Sequence, residues 1–545
     1  MTNIPMTDIQ TDVPREAQRT PILVAPPRRH RRWRHQEGQS RAVVAASAII
    51  ALALLLPLAL LALDARDAGW GEIHQVLFRE RSLFLLRHTL VLSALVMILA
   101  AVLGVASAWC TERCQLPARR LWTMLLVLPV SIPDFVVGYA WHSIAPTMNG
   151  LLAATLVMTL GTYPLVYLPV AAALRRANPV LEDTAHSLGK GRFVTFSRVA
   201  LPLIRTAVLG GCVLVVLTVI SEYGAFEILR YQTFTTEIFT EFQFDPQAAG
   251  ALSVPLVLLG LLMLGIDGML PRRTVSSTVS AAPRRARGPV RWRWSVAPMV
   301  LALGALVVLG VGMPIGTLGY WMAQSQHTTL PAATTLTSAT WTTLSYSAWG
   351  AAIAVVTALP VAMMTFRRTT APRVILDRVT YITRAVPGVV IALSLVFLAT
   401  RYAYGLYQTS VLLVVAYAIL HFPLALVCVK TSVAQASARL FDVGRSLGAS
   451  PVAVFCRVAL PLLAPGLLAG FCLVFLTAVT ELTATLVLVP IGVQTLATQF
   501  WAYQSEVAYG AAAPYGLVIV VLAAVPGTLL GLWFDRERHT RVSLT

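Results

Sequence analysis

The sequence predicts an all-α, polytopic membrane protein of about twelve transmembrane helices, arranged as two tandem six-helix units. Three observations support this prediction. Of the 545 residues, 57% are hydrophobic and only 12% are charged, too few to cover the surface of soluble domains. Apolar runs of membrane-spanning length recur along the chain. The second half of the chain also repeats the first.

Twelve apolar runs are long enough to span a membrane, and we number them as spans one to twelve. The first six lie near 42–63, 83–109, 121–142, 151–174, 206–229 and 248–270. The second six lie near 296–318, 339–365, 379–400, 410–430, 465–490 and 510–534.

The net charge of +18 is concentrated in short segments between the spans. Arginine-rich segments alternate with segments that carry fewer basic residues, which is the positive-inside pattern and predicts that both termini are cytoplasmic. The densest cluster, residues 28–36, is interpreted as a disordered cytoplasmic tail that orients the first span, and not as a patch that binds lipid or nucleic acid. The expected partners of the whole chain include membrane lipid around the spans but no nucleic acid. The run that begins at Ala42 is expected to remain as a helix and not to be cleaved as a signal peptide.

These patterns predict five segments. A linker rich in Pro, Arg and Ser has a composition that cannot bury a core, and it separates the two units. The segments are a basic cytoplasmic tail (1–41), a first unit (42–270), a cytoplasmic linker (271–294), a second unit (295–534) and a cytoplasmic tail (535–545).

The internal repeat is extensive. Residues 181–229 align without gaps to 440–488, and FSRVALPL at 196–203 faces FCRVALPL at 455–462. Further upstream, Thr89 matches Thr343 and Pro133 matches Pro387. Because six is an even number of spans, both units have the same orientation. We therefore expect an axis along the membrane normal and a central path between the units.

A long loop follows the fourth span of each unit. In the first, Gly189 precedes Val199-Ala200-Leu201-Pro202; in the second, Gly448 precedes Val458-Ala459-Leu460-Pro461 at the same spacing. Since glycine readily adopts the left-handed conformation that ends a helix, we predict an elbow of two short helices. Apolar residues at helical spacing give the second helix one apolar face that needs cover. They are Phe193, Phe196 and Val199, and Val452, Phe455 and Val458. Each proline is expected to end this helix or to sit in the first turn of the next span.

These loops resemble the conserved loop of ABC-importer permeases, which reads EAA, three residues, Gly, nine residues, Ile-x-Leu-Pro. Both copies keep Gly, Leu and Pro and carry Val for Ile, whereas Asp replaces Glu and one alanine survives. The matching residues are Asp183, Ala185, Gly189, Leu201 and Pro202, and Asp442, Gly444, Gly448, Leu460 and Pro461.

The resemblance implies two tandem ABC-importer permease units in which each elbow docks on one of two copies of a cytoplasmic ATPase. The chain has no GxxxxGK[ST] phosphate-binding loop. We therefore expect that it is not an enzyme, that it binds no cofactor, and that ATP and Mg are used by the partner subunit.

Two glutamates, Glu222 and Glu481, occupy matching positions in spans five and eleven. A carboxylate inside a membrane costs about 2.5–3.5 kcal/mol on insertion scales, so it usually faces a cavity or a partner. The pair either lines the path of a cationic substrate or consists of packing or gate residues that neighbouring hydroxyls satisfy. Those hydroxyls belong to Ser221, Thr218, Thr477 and Thr480. Asp134 has no acidic counterpart, because Gly388 stands at its place in the second unit, and it is not assigned to the path.

The segments around these glutamates resemble fused two-copy iron(III) permeases. The resemblance rests on Glu222-Tyr-Gly-Ala with 229–236 and on Glu481–Leu486 with 494–498. It implies a bacterial inner-membrane importer, a periplasmic substrate-binding protein that delivers ferric iron, and a path past both glutamates. Related fused permeases carry thiamine or aminoethylphosphonate, and these cargoes stay open. The chain departs from the group at Tyr223 and Thr483, where Phe and Pro are common.

One alternative belongs to a different class. An ion-coupled secondary transporter with six-plus-six topology would share the spans and the repeat. It would not need the paired elbows, and it would usually carry more ionisable residues within its spans.

Overall fold

The structure, a computed structural model, describes residues 41–177, 180–269, 296–325, 330–366, 371–435, 443 and 446–524. Every regular element in these ranges is helical. From Ala42 onward the chain forms one compact unit. The predicted linker, the N-terminal tail before Arg41 and the C-terminal tail lie outside the described residues.

The first unit contains twelve helices, α1 to α12. Their bounds are Arg41–Ala68, Trp70–Leu77, Glu80–Arg113, Arg119–Val127, Asp134–Ile144, Gly150–Arg176, Val180–Ser187, Arg192–Thr195, Leu201–Ser221, Gly224–Ile228, Phe234–Phe244 and Pro246–Met269.

The second unit contains eleven described helices, α13 to α23. Their bounds are Val296–Val307, Met313–Gln324, Ala333–Phe366, Ala371–Ile382, Gly388–Tyr402, Ser410–Gln435, Pro451–Val454, Leu460–Val479, Thr483–Leu488, Leu496–Ser505 and Tyr509–Ala524.

The helices confirm a polytopic all-α membrane protein. Within the described residues, nine continuous helices are long and apolar enough to cross a membrane. Two further spans are helix pairs with a sharp bend, which makes eleven. The described part of α23 is shorter and lies where span twelve was predicted.

Spans three and nine are broken, a feature that the sequence analysis did not predict. The helix pairs α4/α5 and α16/α17 bend by 89° and 103°. The bends fall at Pro133 and Pro387. Proline cannot donate a helical hydrogen bond, and it disfavours the helical conformation of the residue before it. Accordingly, Ile132 and Val386 are extended, with ψ of 119° and 118°.

Spans five and eleven also differ from the prediction. Each helix begins in the elbow and continues without a break through a π-helical turn, Phe196–Ala200 or Phe455–Ala459, into α9 or α20. The long helices then end at Ser221 and Val479, short of the predicted ends. The two glutamates consequently lie just beyond the long helices and not inside them.

The first span of each unit contributes to a hydrophobic core that contains residues of both units. Leu54 and Leu61 of α1 belong to an apolar cluster with Ala351 and Leu395 of the second unit. The cluster of the first unit likewise includes Leu303 of α13 and Leu318 of α14. The hydrophobic core is therefore continuous across both units.

Hydrogen bonds also connect the two units. The indole N–H of Trp321 donates to the Ser143 hydroxyl at 3.0 Å. The Tyr139 hydroxyl donates to the Tyr509 carbonyl at 2.7 Å. Both bonds connect the second unit to α5, which follows the break in span three, and so they hold one wall of the interface between the units.

Candidate functional site

A cavity of about 360 Å³ lies between the two units, within the size range of small-ligand sites. Both units line it through their bent spans, their fourth spans and the ends of α9 and α20. The polar side chains in its wall are Asp134, Thr162, Thr218, Ser221 and Glu222 from the first unit, and Thr383, Arg384, His421, Thr477, Thr480, Glu481 and Thr483 from the second.

Both predicted path residues reach this cavity, and each accepts an equivalent backbone hydrogen bond. Glu222 Oε1 accepts from the N–H of Ala225 at 2.8 Å, and Glu481 Oε1 accepts from the N–H of Ala484 at 3.1 Å. These N–H groups belong to the first turns of α10 and α21, where a helix lacks internal partners. The carboxylates thus cap the first turns of the short helices that follow the long ones.

The neighbouring hydroxyls that the sequence suggested as partners do not bond the glutamate carboxyl groups. Each hydroxyl donates to a carbonyl of its own helix instead, a common arrangement for Ser and Thr. The bonds are Thr218 to Leu214 (3.0 Å), Ser221 to Leu217 (2.8 Å), Thr477 to Leu473 (3.1 Å) and Thr480 to Leu476 (3.3 Å). Backbone N–H groups take their place as donors.

The backbone at each glutamate is also held by a threonine. The Thr235 hydroxyl donates to the Glu222 carbonyl at 2.6 Å, and the Thr485 hydroxyl donates to the Glu481 carbonyl at 2.6 Å. Thr485 also bonds the hydroxyl of Tyr417 on α18 at 2.6 Å. Fixed side chain and fixed backbone together place each carboxylate in one position.

The Thr89–Thr343 match in the sequence has a structural explanation. Thr89 Oγ1 accepts from the N–H of Phe234 at 3.3 Å, and Thr343 Oγ1 accepts from the N–H of Leu496 at 2.9 Å. Both donors are the first residues of short helices that open with a capping box. The second span of each unit therefore supports the segment beyond the glutamate.

An apolar layer packs directly beyond the glutamates. A Cβ on Gly224 would lie 2.5 Å from Leu482 Cδ2 and 2.8 Å from Phe135 Cβ, so only glycine permits this approach of the two units. The rings of Tyr223 and Trp501 lie 5.4 Å apart in the same layer. The segments that carry the glutamates consequently meet each other beyond the cavity.

The elbows lie at the other ends of α9 and α20. Gly189 and Gly448 are left-handed, with φ of 75° and 80°, as predicted. Leu201 and Leu460 begin the two long helices, and Pro202 and Pro461 sit in their first turns. However, the second helix of each elbow is continuous with the span and is not a separate short helix.

Each elbow exposes large apolar side chains. Leu188 and Phe193 are 71% and 81% exposed in the first elbow, and Leu447 and Val452 are 81% and 71% exposed in the second. Asp183 and Ala185 lie on α7. Asp442 and Gly444 lie outside the described residues. Two exposed apolar patches at repeat-equivalent places are typical of protein-binding surfaces.

The first elbow is anchored by an ion pair that the sequence did not reveal. Arg113 at the end of α3 lies 2.9 Å from Glu182 on α7, and it also donates to the Leu174 carbonyl at 3.0 Å. The side chains of the ion pair are 18% and 10% exposed. Phe441 stands at the place of Glu182 in the second repeat, so the two elbows differ.

Three cavity residues were absent from the predicted site: Asp134, Arg384 and His421. All three are polar residues within predicted apolar runs, which was the only signal the sequence offered. None is matched in the other unit, where Gly388, Val130 and Thr162 stand at the equivalent places.

Two repeated helical units that cross a membrane, share an acidic cavity and expose paired elbows on one side define a membrane permease. The chain belongs to the family described as binding-protein-dependent transport system inner membrane component, which matches residues 100–276 and 350–538. The two matched segments correspond to the two units. The protein is therefore a multi-pass inner-membrane permease, and an ion-coupled secondary transporter is not favoured.

Individual relatives share its full organisation or one half of it. The chain is 34% identical over 488 residues to the Fe(3+)-transport system permease protein FbpB 2 of Haemophilus influenzae, which covers 88% of this chain and 96% of that protein. It is 22% identical to the ferric transport system permease protein FbpB of Actinobacillus pleuropneumoniae, over 84% and 71% of the two chains. It is 27% identical to the sulfate transport system permease protein CysT of Escherichia coli, over 39% of this chain and 86% of that protein. These relatives are transport permeases and not enzymes.

Proposed function

We propose that this chain is the permease of a ferric-iron importer and that iron passes through the cavity between the units, past Glu222 and Glu481. The observation that carries the proposal is that two repeat-equivalent carboxylates from different units line the same cavity. The similarity to two ferric permeases over most of the chain supports this choice of cargo.

The charges in the cavity wall favour a cation. Asp134, Glu222 and Glu481 contribute three carboxyl groups, and Arg384 contributes one guanidinium. An excess of one sign of charge in a cleft with low-dielectric walls concentrates ions of the opposite sign. A sulfate-like anion would meet repulsion here, although a sulfate permease resembles one unit.

The carboxyl groups of the cavity are arranged to let an iron ion pass and not to hold it permanently. Among the described residues, no three His, Cys, Asp or Glu side chains converge closely enough to hold a metal ion. A conducting site must bind its ion strongly enough to admit it and weakly enough to release it. Carboxylates that attract the cation without enclosing it meet both conditions.

The partners follow from the two sides of the molecule. A cytoplasmic ATPase subunit that uses ATP and Mg docks on each exposed elbow, two copies in all. A periplasmic binding protein delivers iron at the opposite side. Both termini are then cytoplasmic, in agreement with the arginine pattern. The exposed apolar side chains at both elbows support this docking.

The test is uptake of radioactive ferric iron by proteoliposomes that contain the permease and its ATPase, with the loaded binding protein added outside. We expect Glu222→Gln and Glu481→Gln each to lower the uptake rate by about tenfold, since a lost attraction of 1.4 kcal/mol is tenfold. Glu227→Gln is the matched control, because Glu227 is exposed five residues further on and does not line the cavity. Uptake that survives the double substitution contradicts the proposed path.

A second arm addresses the energy source. Uptake is expected to require ATP inside the vesicles and to persist when all ion gradients are collapsed. Uptake driven by an ion gradient without ATP contradicts the importer class.

A further inference from the structure

We propose that Asp134 is a third charge-bearing residue of the path and that Gly161 positions it, so that the first unit forms the more strongly cation-attracting wall of the cavity. This inference rests on the proposed function. It adds a specificity-determining residue that has no equivalent in the second unit.

The first argument is the space made for the carboxyl group. Asp134 is the first residue of α5, directly after the break at Pro133, and it lines the cavity. Its Oδ1 lies too close to the position of a Cβ on Gly161 of α6 for both to be present without a shift. Any side chain at 161 would therefore displace this carboxyl group.

The second argument comes from the repeat. In the second unit, Gly388 stands at the place of Asp134, and Leu420 stands at the place of Gly161. A Cβ on Gly388 would lie 3.5 Å from Leu420 Cδ2, so the same two positions touch in both units. In the first unit the larger residue is on the bent span, and in the second unit it is on the fourth span. Only in the first unit does the larger residue carry a carboxyl group.

The third argument is the surroundings. Asp134, Glu222 and Glu481 line the same cavity, so the three carboxyl groups are neighbours within one space. Across the cavity, His421 is only 8% exposed, and its Nε2 has no hydrogen-bond partner in the described part of the chain. Three carboxyl groups that line one cavity repel one another when they are ionised, and a cation among them offsets that repulsion.

The two walls of the cavity differ in charge. The first unit supplies two carboxyl groups, whereas the second supplies one carboxyl group, Arg384 and His421. A trivalent cation that enters the cavity is attracted to the wall formed by Asp134 and Glu222, while the guanidinium on the other side repels it.

The test uses the difference between the two units at these two positions. The double variant Asp134→Gly with Gly161→Leu recreates in the first unit the residue pair that is in contact in the second unit. We expect it to insert, to assemble with the ATPase and to hydrolyse ATP like the wild type, while ferric uptake falls about tenfold through the lost attraction. Asp134→Asn is expected to show the same loss, and Asp134→Glu is expected to retain most uptake.

Gly161→Ala tests whether Gly161 positions the Asp134 carboxyl group. In the wild type it should reproduce the loss seen in Asp134→Asn, because the new methyl group displaces the carboxyl group. In the Asp134→Gly background it should have no further effect. The inference is overturned if the variant Asp134→Gly with Gly161→Leu takes up iron at a rate within twofold of the wild type. It is also overturned if Gly161→Ala has the same effect in the wild type and in the Asp134→Gly background.

The outcomes separate this inference from the function on which it rests. If Glu222→Gln lowers uptake while the Asp134 variants do not, only the third charge is wrong. If neither set lowers uptake, the path itself is wrong.

Discussion

A Cβ on Gly388 would lie 3.1 Å from Oε1 of Glu481. That separation is tighter than ordinary van der Waals contact, so the absence of a side chain at 388 gives the glutamate its place in the cavity. In the first unit the equivalent position carries Asp134 itself. At this position the first unit therefore contributes a carboxyl group to the cavity, whereas the second unit leaves room for the carboxyl group of Glu481.

Gly388→Ala is expected to lower ferric uptake by about threefold without loss of stability. The methyl group forces the Glu481 carboxylate to shift by a few tenths of an ångström, and a small misplacement of this kind is costly at a functional site. Since alanine is favoured over glycine in a helix, the melting temperature in detergent should not fall. Gly210→Ala in α9 is the control, because nothing lies within 4 Å of its Cβ. A Gly388 variant with normal uptake contradicts the role of this contact.

Substitution of the elbow glycines is expected to uncouple transport. Valine at 189 and 448 must adopt a left-handed backbone at a cost of about 1–2 kcal/mol per residue, so each turn distorts. The double variant Gly189→Val with Gly448→Val should insert normally but should neither retain the ATPase on purification nor import iron. Gly191→Val is the control, since Gly191 does not have a positive φ and lies in open space. Normal transport by the double variant would show that the elbows do not couple.

Loss of the ion pair at the first elbow is expected to loosen α7. Glu182→Ala leaves Arg113 without its carboxylate partner, and breaking a largely buried pair in this way destabilises by about 3–5 kcal/mol. Hydrogen exchange of Val180–Ser187 should accelerate, while exchange of the second elbow should not change. The charge-retaining variant Glu182→Asp should show a smaller effect. Equal acceleration at both elbows would refute a local anchor.

The apolar layer beyond the glutamates offers a test by compensation. Gly224→Ala is expected to destabilise the protein by about 1–3 kcal/mol, because its methyl group meets Leu482 and Phe135 in a packed layer. Leu482→Ala removes one of these neighbours and should partly restore the melting temperature when combined with Gly224→Ala. Additive losses in the double variant would argue that the two residues do not meet.

Much of the architecture could be predicted from local patterns. Apolar run lengths located most of the spans within several residues, with spans five and eleven as exceptions, since the thickness of the membrane sets a minimum length for a helix. The spacing of Gly189 and Pro202, repeated at Gly448 and Pro461, located the elbows because turn conformation and proline geometry are local properties.

Other features could not be predicted. Pro133 and Pro387 were visible as a repeated pair, yet proline is tolerated within many membrane helices, as at Pro164 and Pro423 here. Whether a proline breaks a span depends on the neighbours that receive its free backbone groups.

By itself, then, the sequence determined the membrane class, the duplicated helical units, the elbows and the paired glutamates, because these depend on composition and on spacing along the chain. Only the tertiary structure decided that the first spans pack into a core shared by both units and that Asp134, Arg384 and His421 enter the same cavity as the glutamates. Those facts depend on contacts between residues hundreds of positions apart, and the side chains involved have no counterpart in the other repeat to mark them.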